Sequence, residues 1–385
     1  MEFRITDACA GTAGRRGEIA VGGVRFETPC FMPVGTRASV KTLTPWDLEE
    51  IGVPVVLANT YHLYLRPGHE RIRSLGGLHR FMSWRGAILT DSGGYQVFSL
   101  ADLCKVLPDG VRFRSHLDGS EHFFSPELSM EVQEAVDSDI VMAFDICTPY
   151  PSSREAAARQ MESTLAWAVR SRERFLASGR PGRGQMGIVQ GGVHADLRKE
   201  CAERLVSIGF DGYALGGLAV GEPEAVRWEM VERGDRDLPR ERPRYLMGVG
   251  QPEEILEAVD RGIDLFDCVL PTRGARHGTV YTFDGRYTIG AKVHAEDLGP
   301  LDEGCDCRVC RTVSRAYVRH LFQVGELLGP RLLSHHNIRA YMRLMEGIRS
   351  SLREGGFADF KRRMLERLRP AAGETPRGPR KREES

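Results

Sequence analysis

No apolar run in this 385-residue chain is long enough to cross a bilayer. The opening stretch, MEFRITDACAGTAGRRGEIA, also lacks the apolar core of a secretion signal. These two absences predict a cytoplasmic protein with no membrane partner. An excess of either charge is missing too, since 53 Lys and Arg face 53 Asp and Glu. That excludes a global basic field, so any polyanion must be held by a local patch. G-x-x-x-x-G-K-[ST] does not occur, and the one G-x-G-x-x-G match, 182–187, runs into the apolar run MGIVQ instead of opening a helix after a strand, so neither the P-loop nor the dinucleotide fingerprint is present. Internal repeats are absent. The nine cysteines are an odd count and mostly scattered singly, which points to core thiols or metal ligands, not a disulfide framework.

What is present is a soluble composition, 41% hydrophobic and 28% charged, over a length that suits one large or two ordinary domains. Seven short apolar runs recur: VPVVLA (53–58), GAILT (86–90), IVMAF (140–144), MGIVQ (186–190), GYALGG (212–217), RYLMGVG (244–250) and LFDCVL (265–270). They do not alternate with polar residues, which suits strands buried on both faces. Helix signals lie between them. Ser125-Pro126-Glu127 opens one helix with a cap, a first-turn proline and an acid. REAAARQMESTLAWAVRSRERFLASG stops at Gly179, and QPEEILEAVDRG stops at Gly262. Strand–helix units of roughly 20 to 50 residues imply a parallel α/β architecture. A (β/α)8 barrel fits the length, and a doubly wound sheet is the rival. After about residue 290 a cysteine cluster precedes a helical stretch, in which Ile338, Tyr341, Met345, Ile348 and Leu352 share one face. The final AAGETPRGPRKREES is polar and reads as disordered.

Polar residues end the apolar runs in a repeated way. Asp91, Asp145 and Gln190 follow three of them, Gly216-Gly217 and Gly248 follow two more, and Asp267 sits inside the last. On a barrel such positions converge on one rim. A single aspartate there is most often a cap. Three together favour a site for a polar heterocycle or a sugar. Asp267 is the oddest, because a lone charge inside an apolar run is costly to bury. Paired carboxylates can work at an anomeric carbon, one as nucleophile and one handling protons. These residues alone do not separate a glycosidase from a base-exchanging enzyme. Cys305, Cys307 and Cys310 in CDCRVC, with His335 or His336 as fourth ligand, match a closed structural Cys3His zinc site. Arg273 and Arg276 in PTRGARHG suit phosphate. Tyr95 and Met247 are candidate walls for a stacked base, with core packing an equal alternative.

TDSGGYQVFSL, FRSHLDGS, FDICTPYP, GIVQGG, GYALGGLAVGE, LMGVG, FDCVLPTR and CDCRVC…HHN together resemble the bacterial tRNA-guanine transglycosylase (queuine tRNA-ribosyltransferase) family, roughly to residue 365. The resemblance implies a (β/α)8 TIM-type barrel over residues 1–290, its closing elements reaching about 365. It also implies a zinc-binding subdomain with C-terminal helices over 291–365; residues 371–385 would be a disordered tail. By the resemblance, Asp267 is the nucleophile toward the ribose C1′ and Asp91 the acid/base. Ser92, Gly93 and Gly94 form the tight backbone beneath the base. Asp145 and Gln190 hydrogen-bond its edge, Gly217 and Leu218 add backbone contacts, and Tyr95 and Met247 sandwich the ring. Residues 248–254 and 272–276 match segments that contact the anticodon loop of tRNA, with Gly248, Gly250, Thr272, Arg273 and Arg276 as contacts. The resemblance selects His336 with Cys305, Cys307 and Cys310 for one structural Zn2+ per chain. It implies exchange of the wobble guanine for a 7-deazaguanine in queuosine biosynthesis. Cys147, Val220 and Glu222 favour 7-aminomethyl-7-deazaguanine. A homodimer is also implied. Ile146 departs from the pattern, where many members carry an acid.

Overall fold

The computed structural model describes residues 1–100 and 104–368. The predicted tail, 371–385, lies outside the described residues. Among those described, eight parallel strands form the central sheet: β1 (Cys30–Pro33), β2 (Val55–Ala58), β3 (Ala87–Thr90), β4 (Ile140–Met142), β5 (Gly184–Val189), β6 (Gly212–Leu215), β7 (Arg244–Leu246) and β8 (Leu265–Cys268). Each of β2 to β8 pairs with the next, and β8 returns to β1, with Leu265 opposite Cys30 and Asp267 opposite Met32. A parallel bridge from Val34 to Leu57 joins β1 to β2 and closes the ring. The architecture is the (β/α)8 barrel, and the doubly wound alternative is excluded.

The seven apolar runs are β2 to β8. β1 was not anticipated, because Pro29 and Pro33 flank CFM and proline argues against a central strand. Alternation along each strand divides the core in two. Met32, Leu57, Leu89, Ile140, Ile188, Tyr245 and Leu265 fill the barrel. Phe31, Val56, Ile88, Leu215, Leu246 and Phe266 face the helices. Each such aliphatic or aromatic side chain, fully buried, contributes roughly 1.5–3 kcal/mol. The parity matters at β8: Leu265 is inside, Phe266 outside, and Asp267 therefore inside again.

An antiparallel sheet of Glu2–Ala8, Arg15–Val21 and Val24–Thr28 precedes the barrel. Its Gly22-Gly23 turn takes positive φ at both residues, as a two-residue hairpin requires. Ile19, Val21 and Phe26 from this sheet join the barrel-interior cluster. A second antiparallel sheet, Lys105–Leu107, Gly110–Arg114 and Glu121–Phe124, is inserted between β3 and β4.

The anticipated helices are present as Pro126–Ala135, Arg154–Ala177 and Pro252–Asp260. Ser125 caps the first of these by accepting from the Leu128 N–H at 3.2 Å. The C-terminal helix runs from Leu328 to Arg353, and Ile338, Tyr341, Met345, Ile348 and Leu352 are all buried. It contacts the Pro45–Ile51 and Pro252–Asp260 helices and so takes the eighth place in the helical layer. The cysteine cluster lies in the segment inserted between β8 and this helix. No described helix is long and apolar enough to cross a membrane.

Candidate active site

Asp267 occupies the inward position at the C-terminal end of β8. Its Oδ1 accepts from the Tyr245 hydroxyl at 2.6 Å and the Gly248 N–H at 2.7 Å. Burial pushes its pKa up, and these two donors oppose the shift. Asp91 follows β3 and is 6% exposed. Its Oδ1 accepts from the backbone N–H groups of Thr60 (2.9 Å) and Gly93 (3.2 Å). Its Oδ2 accepts from Gln96 Nε2 (2.8 Å) and from Asn59 Nδ2. Desolvation pushes Asp91 up to about 6 against the pull of Asn59 and Thr60, and the nearby Asp267 charge adds to the rise. Two buried carboxylates, both raised by burial and one raised further by the other's charge, are a proton-handling arrangement.

Further buried polar residues stand beside Asp91. Asp145 is 5% exposed and accepts from Ser92 Oγ and Gln190 Nε2, both at 2.8 Å. Burial raises its pKa. Gln190 is fully buried, yet its Oε1 has no hydrogen-bond partner. An acceptor in that state invites an N–H from a ligand. Ser92 is held by its carbonyl, which accepts from Ser129 Oγ at 2.7 Å. Gly94 has no room for a side chain, since a Cβ would stand 2.5 Å from the Asp145 carbonyl oxygen. Gly93 sits at φ +83°. Leu218 is buried in the outer core, so only its backbone can face the pocket. Tyr95 is exposed on the rim, and half-buried Met247 packs on the barrel-interior cluster. Ile146 turns into the apolar cluster of Tyr61, Phe113, Phe144 and Trp167, and so adds no polar group to the pocket. Glu222 is buried beside the Leu218–Val220 loop and accepts from the Ala219 (2.6 Å) and Val220 (2.9 Å) N–H groups.

Of the anticipated RNA contacts, Gly248 and Arg273 are exposed, whereas Gly250 and Thr272 are buried. A Cβ on Gly250 would collide with Cys268, which accounts for that glycine by packing. Arg273 and Arg276 lie in the Leu270–Arg276 helix, where Arg276 Nη1 is buried without a partner. Two cations not anticipated, Arg37 and Lys41, join them. Lys41 has its pKa lowered by burial and then by Arg276, Arg37 and Arg273. His62 is pushed down to about 4 by burial, with Arg37 and Lys41 among the causes, so it is neutral at pH 7. Arg37, Lys41, Arg273 and Arg276 make a local basic rim on a chain of zero net charge.

The ligand atoms of Cys305, Cys307, Cys310 and His336 all lie within 4.8 Å of one another. His336 Nδ1 is 3.2 Å from Cys310 Sγ and 3.8 Å from Cys307 Sγ. A tetrahedral Zn2+ with ordinary bond lengths has N–S edges of about 3.6 Å, so the cluster fits that ion. His336 Nε2 is 2.9 Å from the Tyr281 carbonyl oxygen, leaving Nδ1 free to ligate. His335 is outside the cluster, and its nearest anion is Glu50 at 4.0 Å. Four protein ligands would leave no open position on a tetrahedral ion held there. A separate cavity of about 450 Å³, lined by Phe283, Tyr287, Arg315 and Arg343, is nowhere near Asp267. Its Arg315 and Arg343 pair with Asp297 and Asp302.

Sequence reasoning missed Asn59, Thr60, Gln96, Tyr245, Arg37 and Lys41. Asn59 and Thr60 follow the β2 run VPVVLA, so the rule that found Asp91 could have found them. Gln96 closes the TDSGGYQ stretch. Tyr245 needed the β7–β8 register, where it pairs with Leu265. Arg37 and Lys41 follow β1, the strand that was not anticipated.

A family model described as queuine tRNA-ribosyltransferase matches residues 9–370. A queuine tRNA-ribosyltransferase of Symbiobacterium thermophilum is 53% identical over 367 residues, covering 95% of this chain and 90% of the relative. One from Pelotomaculum thermopropionicum is 54% identical over 361 residues, covering 94% and 97%. One from Caldanaerobacter subterraneus subsp. tengcongensis is 50% identical over 367 residues, covering 95% and 97%.

Proposed function

The chain belongs to the queuine tRNA-ribosyltransferase family and is a tRNA-guanine transglycosylase, and from that premise we propose that it exchanges the wobble guanine of tRNA by double displacement. The observation that carries this reading is the pair Asp267 and Asp91, two desolvated carboxylates at one barrel mouth whose charges repel. Asp267 attacks the ribose C1′, the C1′–N9 bond breaks, and its electron pair leaves with guanine. Asp91 supplies the proton to the departing base. A 7-deazaguanine then enters, Asp91 takes its N9 proton, and N9 displaces Asp267 from C1′.

Asp145 and the unpartnered Gln190 Oε1 meet the donors of the base edge, Gly217 and Leu218 offer backbone groups, and Tyr95 and Met247 flank the ring. Gly248, Gly250, Thr272, Arg273 and Arg276 belong to the RNA-facing segments, where the exposed arginine and Lys41 neutralise phosphate. The incoming base is 7-aminomethyl-7-deazaguanine, a reading supported by Cys147, Val220 and the buried Glu222 on that wall. Cys305, Cys307, Cys310 and His336 hold one Zn2+, which when bound cross-links the inserted segment to the last barrel helix. The protein works in the cytoplasm as a homodimer. A small-molecule nucleosidase would share the carboxylates but has no use for the basic rim.

The direct test is guanine exchange. Labelled guanine is expected to enter tRNA with this chain alone, through an adduct that survives a denaturing gel. Release of guanine with no incorporation would replace exchange by hydrolysis.

The Asp91 environment adds a pH prediction. Donation to the leaving base needs the protonated acid, so single-turnover guanine release should fall as pH rises through about 6. Uptake of the incoming base needs the carboxylate and should fall as pH drops through the same value. Asp91→Asn should flatten both profiles. Two half-reactions with the same pH dependence in the unaltered protein would remove Asp91 from the proton path.

A further inference from the structure

Arg198 is 2% exposed, and no carboxylate lies within ion-pair distance of it among the described residues. It remains charged at neutral pH, since burial lowers its pKa only to about 10. An unpaired buried guanidinium is costly, so what it holds in place is informative. Arg198 stands in the first turn of the Ala195–Ile208 helix. Its Nη1 donates to the Gly192 carbonyl at 3.2 Å and to the Gly216 carbonyl at 3.0 Å. These carbonyls belong to the loops after β5 and β6, which carry Gln190 and Gly217.

The Gly216–Gly217 peptide is planar and trans, so its C=O and N–H point in opposite directions. With the oxygen turned down onto Arg198, the Gly217 N–H points up toward the Cys147 sulfur, where it opposes the rise in pKa that burial imposes on that thiol. The same peptide lies flush against Gln190. A Cβ on Gly216 would stand 2.6 Å from Gln190 Nε2, and one on Gly217 2.6 Å from Oε1. Gly217 sits at φ +64°, and without a side chain little else prevents this peptide from turning over.

We propose that Arg198 is a positioning residue for base specificity: by holding the Gly216 carbonyl it keeps the Gly217 N–H facing the pocket, so the site selects a base with an acceptor there, the 6-oxo group of a guanine-type ring. This rests on the base-exchange reading. If the peptide turned over, a carbonyl would face the base oxygen, and the two acceptors would repel.

The experiment compares Arg198→Met and Arg198→Lys with the unaltered protein by calorimetric binding of guanine and of 6-thioguanine. 6-Thioguanine keeps the ring N–H groups and the 2-amino group but has a poor acceptor at position 6. Arg198→Met is expected to weaken guanine about 10–100-fold, as loss of one oriented buried donor implies. It should also erase most of the preference for guanine over 6-thioguanine. The KM for guanine in exchange should rise while the KM for tRNA stays within a factor of two. Arg198→Lys, which keeps a donor and a charge, should recover part of the preference. An unchanged guanine to 6-thioguanine ratio in either folded variant overturns the proposal. Should Arg198→Met not fold, the Arg198→Lys ratio decides alone, with a full preference counting against positioning by the two-carbonyl fork. Failure of the unaltered protein to exchange guanine would instead strike the base-exchange reading, and that outcome is read separately.

Discussion

Asp267→Asn is expected to abolish the tRNA adduct and to lower guanine exchange by about 10⁴-fold or more, the scale on which loss of a covalent nucleophile acts. Asparagine is the informative replacement. Its Oδ1 can still accept from the Tyr245 hydroxyl and the Gly248 N–H, which hold the native carboxylate at 2.6 and 2.7 Å. Local geometry is therefore kept while the amide cannot attack C1′. The substitution also removes a buried charge, so the folded protein should be no less stable at pH 7. Binding of guanine should survive, because in the proposed reading the base edge is met by Asp145 and Gln190, which follow other strands. The Asp267 charge also raises the Asp91 pKa, so Asp91 in the variant should titrate below about 6. Denaturing gels with labelled tRNA, rapid-quench exchange and calorimetry with guanine check the loss of adduct, the loss of exchange and the retained base binding. An adduct in Asp267→Asn that forms at the native rate would assign the nucleophile elsewhere.

How much of this site could be read in advance follows from strand physics. Strands buried on both faces show as plain apolar runs, so β2 to β8 were visible and the polar residues at their ends stood out. β1 was hidden by its flanking prolines, and with it went the loop that carries Arg37 and Lys41. The antiparallel insertion was not visible, because strands of three to five residues are too short to display alternation. Side chains that act through register were out of reach for a different reason. Nothing within RYLMG says that Tyr245 faces Leu265, and only that pairing brings its hydroxyl to Asp267. Arg198 was the most disguised. In ADLRKECAERL it reads as one more charge on an amphipathic helix, yet it is buried between two glycine loops.

Removing the metal should cost tRNA binding before it costs the pocket. The segment between the Leu270–Arg276 and Leu328–Arg353 helices has a small core of Val280, Ile289, Leu301, Val309 and Val318, joined by the ligand cysteines and by Leu333 from the second helix. Without a central ion its three neighbouring thiols are free cysteines with no covalent bond among them to tie the segment together. The fourth ligand is mechanically placed. His336 faces the Tyr281 carbonyl, and Asn337 beside it donates to the Pro271 (3.0 Å) and Thr279 (2.9 Å) carbonyls and accepts from the Tyr281 N–H (3.1 Å). Those contacts fix the helix that carries Arg273 and Arg276. Chelation, or Cys307→Ala, is therefore expected to raise hydrogen exchange across residues 279–327 and to loosen the arginines. Two charge-assisted phosphate contacts are worth about 1.5–3 kcal/mol each, so tRNA binding should weaken at least tenfold. Guanine binding should change far less, because Asp145 and Gln190 follow β4 and β5, away from β8 and the insertion after it. Zn2+ added back to chelated protein should restore both exchange protection and tRNA affinity. A metal-free protein with native protection across 279–327 would show that the four ligands hold the segment without an ion, and would sever the link from cluster to rim.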